Sequence, residues 1–560
     1  MKQTGNPSAY NNLLWGEMVA DFFYKNRIEH VFFSPGSRST PLILALERKK
    51  GIECIPILDE RTASFAALGR SKHSQKPTAL LCTSGSAPTH WFPAVTEAHY
   101  SGIPLFLLTA DRPPELQNCG AGQTIDQCNL FEKFVRGFHQ SPLPDPSTES
   151  INKLSTLLQT AYQQALGENP GPVQINFPFR EPLFPEGSPT AYSIPVSSFI
   201  KLPKPVFKDS IESISAISKG FTKVLLIAGE FAPAPPILSL LCKFPVPTIC
   251  DALSPLRNCS SDTTILRYEH HLRNSSLSEK LKPELIIVLG PLPTSKKLRS
   301  WVDQTCAKRI IIEPRGIRVD PLISESTSFQ TDFDTLQNLE VGKPNAEWVQ
   351  SWLDAEHYIE NKIQKQLESE DSIHEAKLAR TLSLILPDDA LLHVANSMPI
   401  RDLEWFWKKG PSTRKLFGNR GVNGIDGTLG TALGLAHQSK KPTFLLTGEL
   451  AFLHDSNALL FSNYFCGSLT VILINNNGGA IFHHLPISKQ DEFKKCFVTP
   501  QNCNFAKLCD AHGVEHSLAQ TWEEIIQRIS TPLADGIRVI EIPVIPEHSV
   551  QQRNNALNIQ

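Results

Sequence analysis

The chain has 560 residues, a formal net charge of −2 and an isoelectric point near 6.8, so we expect several domains and no basic surface for nucleic acid. No apolar run is long enough to span a membrane, and the N-terminal residues lack the apolar segment of a signal peptide. The twelve cysteines contain no C-x-x-C pair, which argues against a zinc or redox motif and favours a soluble, cytoplasmic protein with reduced thiols.

The first third of the chain alternates predicted helices with short apolar runs. Residues 55–58 and 105–109 are predicted strands, because each run is short and apolar. Ala67-Leu68-Gly69 ends a predicted helix, and Lys76-Pro77-Thr78 leads into the apolar pair Leu80-Leu81. Alternation of helices and strands favours parallel sheets.

The middle of the chain has the same alternation. Apolar runs at residues 224–227, 285–288 and 310–312 predict the strands of a further α/β domain. A Pro-rich segment precedes this region and a polar segment follows it, and we interpret both as linkers. The predicted domains are residues 1–185, 206–340 and 351–560, joined by linkers at 186–205 and 341–350.

The last third of the chain repeats motifs of the first third at a displacement of 365 positions. Ala432-Leu433-Gly434 matches the earlier Ala-Leu-Gly, Lys441-Pro442-Thr443 matches the earlier Lys-Pro-Thr, and Leu445-Leu446 matches the earlier leucine pair. We interpret the first and third domains as related copies. The alternative is chance similarity between two α/β units of similar composition.

A carboxylate and three amides follow two predicted strands of the last domain, at residues 443–446 and 469–474, which flank a predicted helix at 455–465. Gly448-Glu449-Leu450 follows the first strand, and Asn475-Asn476-Asn477-Gly478-Gly479 follows the second. Ligands of parallel sheets bind at the carboxyl ends of strands, and Mg²⁺ takes oxygen ligands that substrate phosphates often complete. The motif therefore predicts a metal and diphosphate site. The alternative is a polar turn with a solvated Glu.

Taken together, these motifs resemble those of the thiamin-diphosphate (ThDP) enzymes, and within that family the members that act in menaquinone biosynthesis. The match runs in order through nearly the whole chain, and it is weakest in the middle domain, where it rests on Thr294-Ser295-Lys296. The other matching motifs are Ser34-Pro35-Gly36-Ser37-Arg38-Ser39-Thr40-Pro41, Leu58-Asp59-Glu60-Arg61, Cys82-Thr83-Ser84-Gly85, Thr109-Ala110-Asp111-Arg112-Pro113-Pro114-Glu115-Leu116, Gly120-Ala121-Gly122-Gln123, Asn419-Arg420-Gly421 and Gly424-Ile425-Asp426-Gly427. The resemblance implies three parallel-sheet α/β domains. The first binds the pyrimidine of the cofactor, the central one is Rossmann-like, and the third binds the diphosphate.

The resemblance implies ThDP and Mg²⁺, or Mn²⁺, as cofactors. It puts Glu60 beside the pyrimidine ring, Ile425 against the bent cofactor, and a metal on Glu449, Asn476 and the Gly478 carbonyl. The implied cofactor-binding residues are Glu60, Ser397, Ile425, Gly448, Glu449, Leu450, Asn476, Gly478 and Ile481. The family's pattern has Asp at position 449, so Glu449 predicts weaker metal and cofactor binding or a preference for a larger ion, because Mg²⁺ demands near-ideal geometry.

The resemblance also implies two dicarboxylate substrates, 2-oxoglutarate and isochorismate. The implied reaction decarboxylates 2-oxoglutarate and adds the succinyl-semialdehyde carbanion to the ring alkene of isochorismate. Arginine suits such substrates because it is always charged and binds carboxylates bidentately. The implied catalytic residues are Glu60, Arg38, Arg112, Gln123, Arg401 and Arg420. The implied substrate contacts are Arg38, Arg112, Gln123 and Lys296 toward isochorismate, Arg401 and Arg420 toward the oxoacid, Ser37 and Ser397 as nearby hydrogen-bonding groups, and Ile481, Phe482 and Leu485 as an apolar wall.

Related enzymes carry the pyrimidine-side Glu and the diphosphate site on different subunits, which implies a homodimer or homotetramer with active sites at the subunit interface. Two alternatives stay open. One is another ThDP-dependent carboligase or decarboxylase, such as an acetolactate-synthase-like enzyme acting on pyruvate, although such an enzyme needs fewer cationic side chains. The other is a degenerate homologue that binds the cofactor without catalysis.

Overall fold

The computed structural model describes residues 7–185, 200, 202, 207–231, 244–258 and 261–558. These residues form three six-stranded sheets, one in each third of the chain, and the paired strands are parallel throughout. The predicted fold class is therefore confirmed. None of the described helices is long and apolar enough to cross a membrane.

The first sheet has the strand order β2-β1-β3-β4-β6-β5. Its strands are β1 His30–Phe33, β2 Glu53–Pro56, β3 Thr78–Cys82, β4 Leu105–Asp111, β5 Phe138–Gln140 and β6 Val173–Pro178. The helices of this region are α1 Pro7–Lys25, α2 Thr40–Arg48, α3 Glu60–Ser74, α4 Phe92–Ser101 and α5 Thr148–Leu166. β3 and β4 are buried along their whole length, as central strands of a parallel sheet covered on both faces should be.

The central sheet has the strand order β9-β8-β7-β10-β11-β12, which is the order of doubly wound dinucleotide-binding folds. Its strands are β7 Val224–Ala228, β8 Thr248–Cys250, β9 Thr264–Ile265, β10 Leu285–Leu289, β11 Lys308–Ile312 and β12 Thr327–Phe329. Its described helices are α6 Ile211–Ser218, α7 Tyr268–Arg273, α8 Ser275–Lys280 and α9 Lys296–Gln304. Helix α10, Ala346–Glu368, packs Trp352 into this domain and Ile363 into the next, so it ties the two cores together.

The third sheet has the order β14-β13-β15-β16-β18-β17, which repeats the order of the first. Its strands are β13 Leu391–Val394, β14 Lys415–Phe417, β15 Thr443–Gly448, β16 Ser468–Asn475, β17 Glu515–Leu518 and β18 Gly536–Pro543. Its helices are α11 Glu375–Ile385, α12 Met398–Phe406, α13 Thr428–Ala436, α14 Glu449–His454, α15 Phe505–Ala511, α16 Trp522–Ser530 and α17 Pro546–Leu557.

The two related domains pack on each other through α3 and α13, which lie at equivalent places in their sheets. A Cβ on Gly69 would lie 2.1 Å from the Thr431 carbonyl oxygen, and a Cβ on Gly434 would lie 1.9 Å from the Ala66 carbonyl oxygen. Each glycine therefore meets the residue three positions before the other glycine, so the crossing is nearly symmetric. The repeated Ala-Leu-Gly motif marks this close helix crossing, and a single apolar core runs through both domains.

Several local predictions differ from the structure. The predicted strand at 55–58 ends at Pro56, and Leu58 is 69% exposed. The predicted helix at 455–465 is a 3₁₀ helix, Ser456–Tyr464, preceded by the separate helix α14, because Asp455 is buried and accepts a hydrogen bond from the Gly430 amide at 2.7 Å. The glycine of each Ala-Leu-Gly motif lies inside its helix rather than at its end. The predicted linker at 186–205 lies outside the described residues apart from 200 and 202, and α10 begins inside the predicted linker at 341–350.

Candidate active site

Arg38 lies beyond the carboxyl end of β1, in a 3₁₀ helix that begins with the exposed Ser37. Its side chain is buried, and the guanidinium donates to the Phe179 carbonyl at 3.0 Å and to the Glu181 carboxylate at 2.8 Å. Its Nε is buried and finds no acceptor among the described residues. Burial, and then the nearby Arg112 guanidinium, lower the pKa of Arg38. Two predicted cations therefore meet at this edge of the first sheet.

Gln123 is held beside Arg112 by the loop that follows β4. The Arg112 guanidinium donates to the Gly122 carbonyl at 3.1 Å, and the Gln123 amide donates to the Ser84 carbonyl at 3.1 Å. Gly85 has a φ of +89°, and a Cβ there would lie 2.8 Å from Cγ of Gln123. Glycine is therefore required where the loop after β3 meets the Gln123 loop.

Glu60 is the first residue of α3, and its backbone position is fixed by its neighbours. Asp59 caps the helix, accepting hydrogen bonds from the Arg61 and Thr62 amides at 2.9 and 3.2 Å. Burial, and then the Glu60 carboxylate, raise the pKa of the Cys82 thiol, which places that carboxylate near the end of β3. Because β1 and β3 are neighbouring parallel strands, the half-buried Glu60 lies at the same edge of the first sheet as the two arginines.

The third sheet brings the three predicted metal ligands together. Glu449 follows β15 directly, is 3% exposed, and accepts hydrogen bonds from the backbone amides of Gly478 and Asn476, the second at 3.4 Å. Burial raises the pKa of Glu449 to about 7. A carboxylate that burial destabilises to this degree is a favourable place for a cation.

Asn476 shows most directly that these residues fit a metal ion. Its Nδ2 donates to Glu375 at 3.3 Å, whereas its Oδ1 is buried and has no hydrogen-bond partner among the described residues. The Gly478 carbonyl accepts from the Ala480 amide at 3.0 Å, which leaves it a second lone pair. Glu449 and Asn476 line a cavity of about 480 Å³ at this sheet edge. One carboxylate, one free amide oxygen and one carbonyl match the oxygen ligands of Mg²⁺ or Mn²⁺.

A buried ionic cluster that the sequence analysis missed supports this site. Arg553 on α17 is 1% exposed and binds Asp402 bidentately at 2.6 and 2.9 Å. The same guanidinium lies 3.4 Å from the Glu375 carboxylate and 3.2 Å from the ring of His484. Burial raises the pKa of Asp402 to about 6, against the lowering effect of Arg553. No motif marks Glu375 or Arg553, because the contacts join residues far apart in the sequence.

Arg401 and Arg420 form a second pair of cations at the third sheet. Burial, and then Arg420, lower the pKa of Arg401. Arg401 donates to the Ser397 carbonyl at 2.5 Å, and Ser397 itself has φ 71° and ψ −130°, a backbone conformation that only glycine adopts without strain. Arg420 donates to the side chains of Asn396 and Thr294. Thr294 belongs to the central domain, where the exposed Lys296 begins α9 two residues later.

The remaining predicted residues line the same edge of the third sheet. Gly448 ends β15, and Leu450 lies in the first turn of α14. Ile481 and Phe482 lie half-buried in a 3₁₀ helix, Ala480–His484, that follows the Asn476 loop. Leu485 follows that helix and is 41% exposed, and Ile425 is 38% exposed. These two apolar side chains face open space in a single chain.

Comparison with known protein families defines the class of this protein. The model described as "Thiamine pyrophosphate enzyme, N-terminal TPP binding domain" matches residues 15–130. The middle-domain model of thiamine pyrophosphate enzymes matches residues 226–394, and the C-terminal TPP-binding-domain model matches residues 405–542. Thiamine pyrophosphate is another name for ThDP, so the class is that of the ThDP enzymes.

Full-length relatives narrow the class. The chain is 40% identical to a protein of Gloeothece citriformis over 95% of both chains. It is 38% identical to a protein of Nostoc sp. over 99% of this chain and 98% of the relative. It is 39% identical to a protein of Synechococcus elongatus over 95% of this chain and 93% of the relative. Each relative is named 2-succinyl-5-enolpyruvyl-6-hydroxy-3-cyclohexene-1-carboxylate (SEPHCHC) synthase. The chain belongs to the SEPHCHC synthase family of ThDP enzymes.

Proposed function

We propose that this chain joins 2-oxoglutarate to isochorismate with loss of CO₂, giving SEPHCHC for menaquinone biosynthesis. The observation that carries the proposal is the pairing of Arg38 with Arg112 and of Arg401 with Arg420 at the edges of the two related sheets. The two dicarboxylates bring four negative charges, and guanidinium groups are the side chains best suited to hold them. A pyruvate-specific carboligase would need fewer cations.

In this proposal the oxoacid is held by Arg401 and Arg420, with Ser397 nearby. The carboxylate that stays in the product must be fixed while the other one leaves as CO₂, and two adjacent guanidinium groups can fix it. Isochorismate is held by Arg38, Arg112, Gln123 and Lys296, with Ser37 nearby. Ile481, Phe482 and Leu485 exclude water from the reacting carbons, which favours loss of the charged carboxylate.

ThDP, when bound, supplies a carbanion at C2 of its thiazolium ring and the electron sink for decarboxylation. Glu60 would hold a proton at the pyrimidine nitrogen N1′, and Ile425 would press against the bound cofactor. The metal, Mg²⁺ or Mn²⁺, is held by Glu449, Asn476 and the Gly478 carbonyl. Gly448, Leu450, Ser397 and Ile481 complete the cofactor contacts.

We propose a homodimer or homotetramer with active sites at the subunit interface, located in the cytoplasm. Leu58, two residues before Glu60, is 69% exposed, and the proposed site residues Ile425 and Leu485 are 38% and 41% exposed. Exposed apolar side chains near a functional site indicate a surface that a second subunit buries. Equilibrium sedimentation of the protein checks this assembly, and a monomer at the concentration that supports turnover would contradict it.

The direct test incubates the protein with ThDP, Mg²⁺, 2-oxoglutarate and isochorismate, and follows loss of isochorismate absorbance together with CO₂ release. We expect both signals to depend on both substrates and on the cofactor. Turnover of pyruvate with none of 2-oxoglutarate would favour the acetolactate-synthase-like alternative. ThDP binding without turnover of either oxoacid would favour the degenerate homologue, and absence of ThDP binding at millimolar concentration would contradict the proposed enzyme.

The metal assignment has its own test in a Glu449→Asp variant. Asp is one methylene shorter, and we expect it to bind Mg²⁺ about tenfold more tightly than the parent, measured by calorimetric titration in the presence of ThDP. When Mn²⁺ replaces Mg²⁺, the metal affinity of the parent should rise more than that of the variant, because the larger ion tolerates the longer side chain. Equal metal affinities of parent and variant would contradict the geometric argument.

A further inference from the structure

The loop that carries Arg420 is fastened to the first domain of the same chain by a buried ion pair. Glu97 on α4 is 1% exposed, and Lys72 on α3 is 5% exposed. The Lys72 ammonium lies 3.6 Å from the Glu97 carboxylate. Neither residue belongs to the motifs by which the family was recognised, and neither is among the proposed contacts to substrate, cofactor or metal.

Glu97 holds the backbone that follows Arg420. One carboxylate oxygen accepts from the Gly421 amide at 2.9 Å, and the other accepts from the Val422 amide at 2.8 Å. The Ser101 hydroxyl donates to the first of these oxygens at 2.7 Å. A Cβ on Gly421 would lie 2.8 Å from the Glu97 carbonyl oxygen, so glycine allows this close approach.

Lys72 holds the backbone that precedes Arg420. Its ammonium donates to the Gly418 carbonyl at 2.6 Å and to the Asn419 side-chain oxygen at 3.1 Å. The Asn419 amide nitrogen in turn donates to Thr431 at 2.9 Å. Both flanks of Arg420 are therefore bonded to charged groups that water does not reach, where such hydrogen bonds are strongest.

We propose that Glu97, together with Lys72, is a positioning residue that sets Arg420 for the distal carboxylate of the oxoacid. The inference rests on the proposed role of Arg420. Among the described residues the Arg420 side chain has two hydrogen-bond acceptors, Asn396 and Thr294, so its direction depends on where the loop backbone lies. Glu97 and Lys72 do not themselves reach the guanidinium, and they act through the four backbone and side-chain groups described above.

The test compares steady-state kinetics of Glu97→Gln with those of the parent. Gln can accept from one of the two amides and loses the charge that pairs with Lys72. We expect KM for 2-oxoglutarate to rise about tenfold, the effect of losing one charge-assisted hydrogen bond, while KM for isochorismate changes less than twofold. The preference for 2-oxoglutarate over 2-oxobutyrate, which lacks the distal carboxylate, should fall by the same factor.

A matched control comes from another carboxylate that contacts the other of the same two domains. The carboxylate of Glu53 in β2 lies 3.3 Å from the ring of His437, which follows α13. Among the described residues, no hydrogen bond or ion pair joins Glu53 to the Arg420 loop. Glu53→Gln should leave both KM values and the oxoacid preference unchanged. If Glu97→Gln does not fold, Ser101→Ala removes one donor to Glu97 while keeping its charge, and it should produce a smaller shift in the same direction.

An Arg420→Met variant separates failure of this inference from failure of the proposed function. If Arg420→Met leaves KM for 2-oxoglutarate unchanged, the proposed role of Arg420 is wrong. If Arg420→Met raises that KM but Glu97→Gln behaves like Glu53→Gln, the proposed function stands and the positioning role is overturned. Equal rises in both KM values for Glu97→Gln would also overturn the positioning role, because a general loss of structure would affect the binding of both substrates alike.

Discussion

The first and third domains share a strand order and a symmetric helix crossing. The ion pairs at the carboxyl edges of their two sheets differ in their exposure to water. At the first edge, the buried Arg38 pairs with Glu181, whose side chain is 72% exposed. At the third edge, Arg553 and Asp402 are each 1% exposed and lie beside Arg401. The two edges therefore differ in their ion pairs: the partner of the buried Arg38 contacts water, whereas both members of the Arg553–Asp402 pair are enclosed. The difference lies in the segments that cover each edge, because Glu181 follows the end of β6 whereas Asp402 and Arg553 lie on the helices α12 and α17.

The largest expected effect concerns proton chemistry at the first edge. Glu60→Gln should lower kcat by about 10²- to 10⁴-fold, because the amide cannot hold and release the proton at the cofactor. ThDP affinity, measured by calorimetry, should change far less than kcat. Glu29→Gln, at an exposed pair with Lys76 in the same domain, is the control and should retain full activity. Comparable loss of kcat in both variants would contradict a role of Glu60 in proton transfer, because the exposed Glu29 has no part in the site.

The second prediction compares the two edges by stability. Arg553→Met leaves Asp402 and Glu375 buried without their cation, and we expect a loss of about 3–5 kcal/mol in the free energy of unfolding. Arg38→Met should lower the free energy of unfolding by less, because the exposed Glu181 stays solvated when its partner is removed. Urea denaturation of both variants measures the difference. Equal losses would show that enclosure of the third edge has no energetic consequence.

The smallest expected effect is a pH dependence that originates in the third domain. Burial raises the pKa of Asp455 to about 7, with the Gly430 amide at 2.7 Å and Arg61 at 3.8 Å acting in the opposite direction and Asp426 adding to the rise. A carboxyl group whose folded pKa is raised stabilises the fold while protonated, and this stability is lost as the pH rises through the folded pKa.

The ligand-free protein should therefore unfold at a temperature about 1–3 °C lower at pH 8 than at pH 6, as measured by calorimetry. Glu449, whose pKa is also raised to about 7, should contribute in the same direction. Asp455→Asn cannot titrate and should reduce the slope of unfolding temperature against pH. An unchanged slope in this variant would exclude Asp455 as a source of the effect.

The sequence predicted the fold well where local signals were strong. The repeated Ala-Leu-Gly motif indicated the duplication, and Gly69 and Gly434 prove to be contact points between the copies. The buried runs of β15 and β16 were located, together with the carboxylate and amide that follow them. Such features depend on residues close together in the chain, which periodicity and turn chemistry describe.

The parts that could not be predicted depend on long-range contacts. Glu97 meets the Arg420 loop across more than 300 positions, and Arg553 meets Asp402 across 151 positions. A buried Glu, Lys or Arg looks like a surface charge in the sequence until its partner is known. The 3₁₀ form of residues 456–464 also escaped prediction, since it follows from burial of Asp455 against α13.

In the proposed function, each of the two edges receives its own substrate. Steady-state KM values for both substrates, measured in Arg38→Met and in Arg401→Met, test it most directly. We predict that Arg38→Met raises KM for isochorismate about tenfold or more with little change for 2-oxoglutarate, and that Arg401→Met does the reverse. If each variant raised both KM values by similar factors, the division of the two substrates between the two edges would be contradicted.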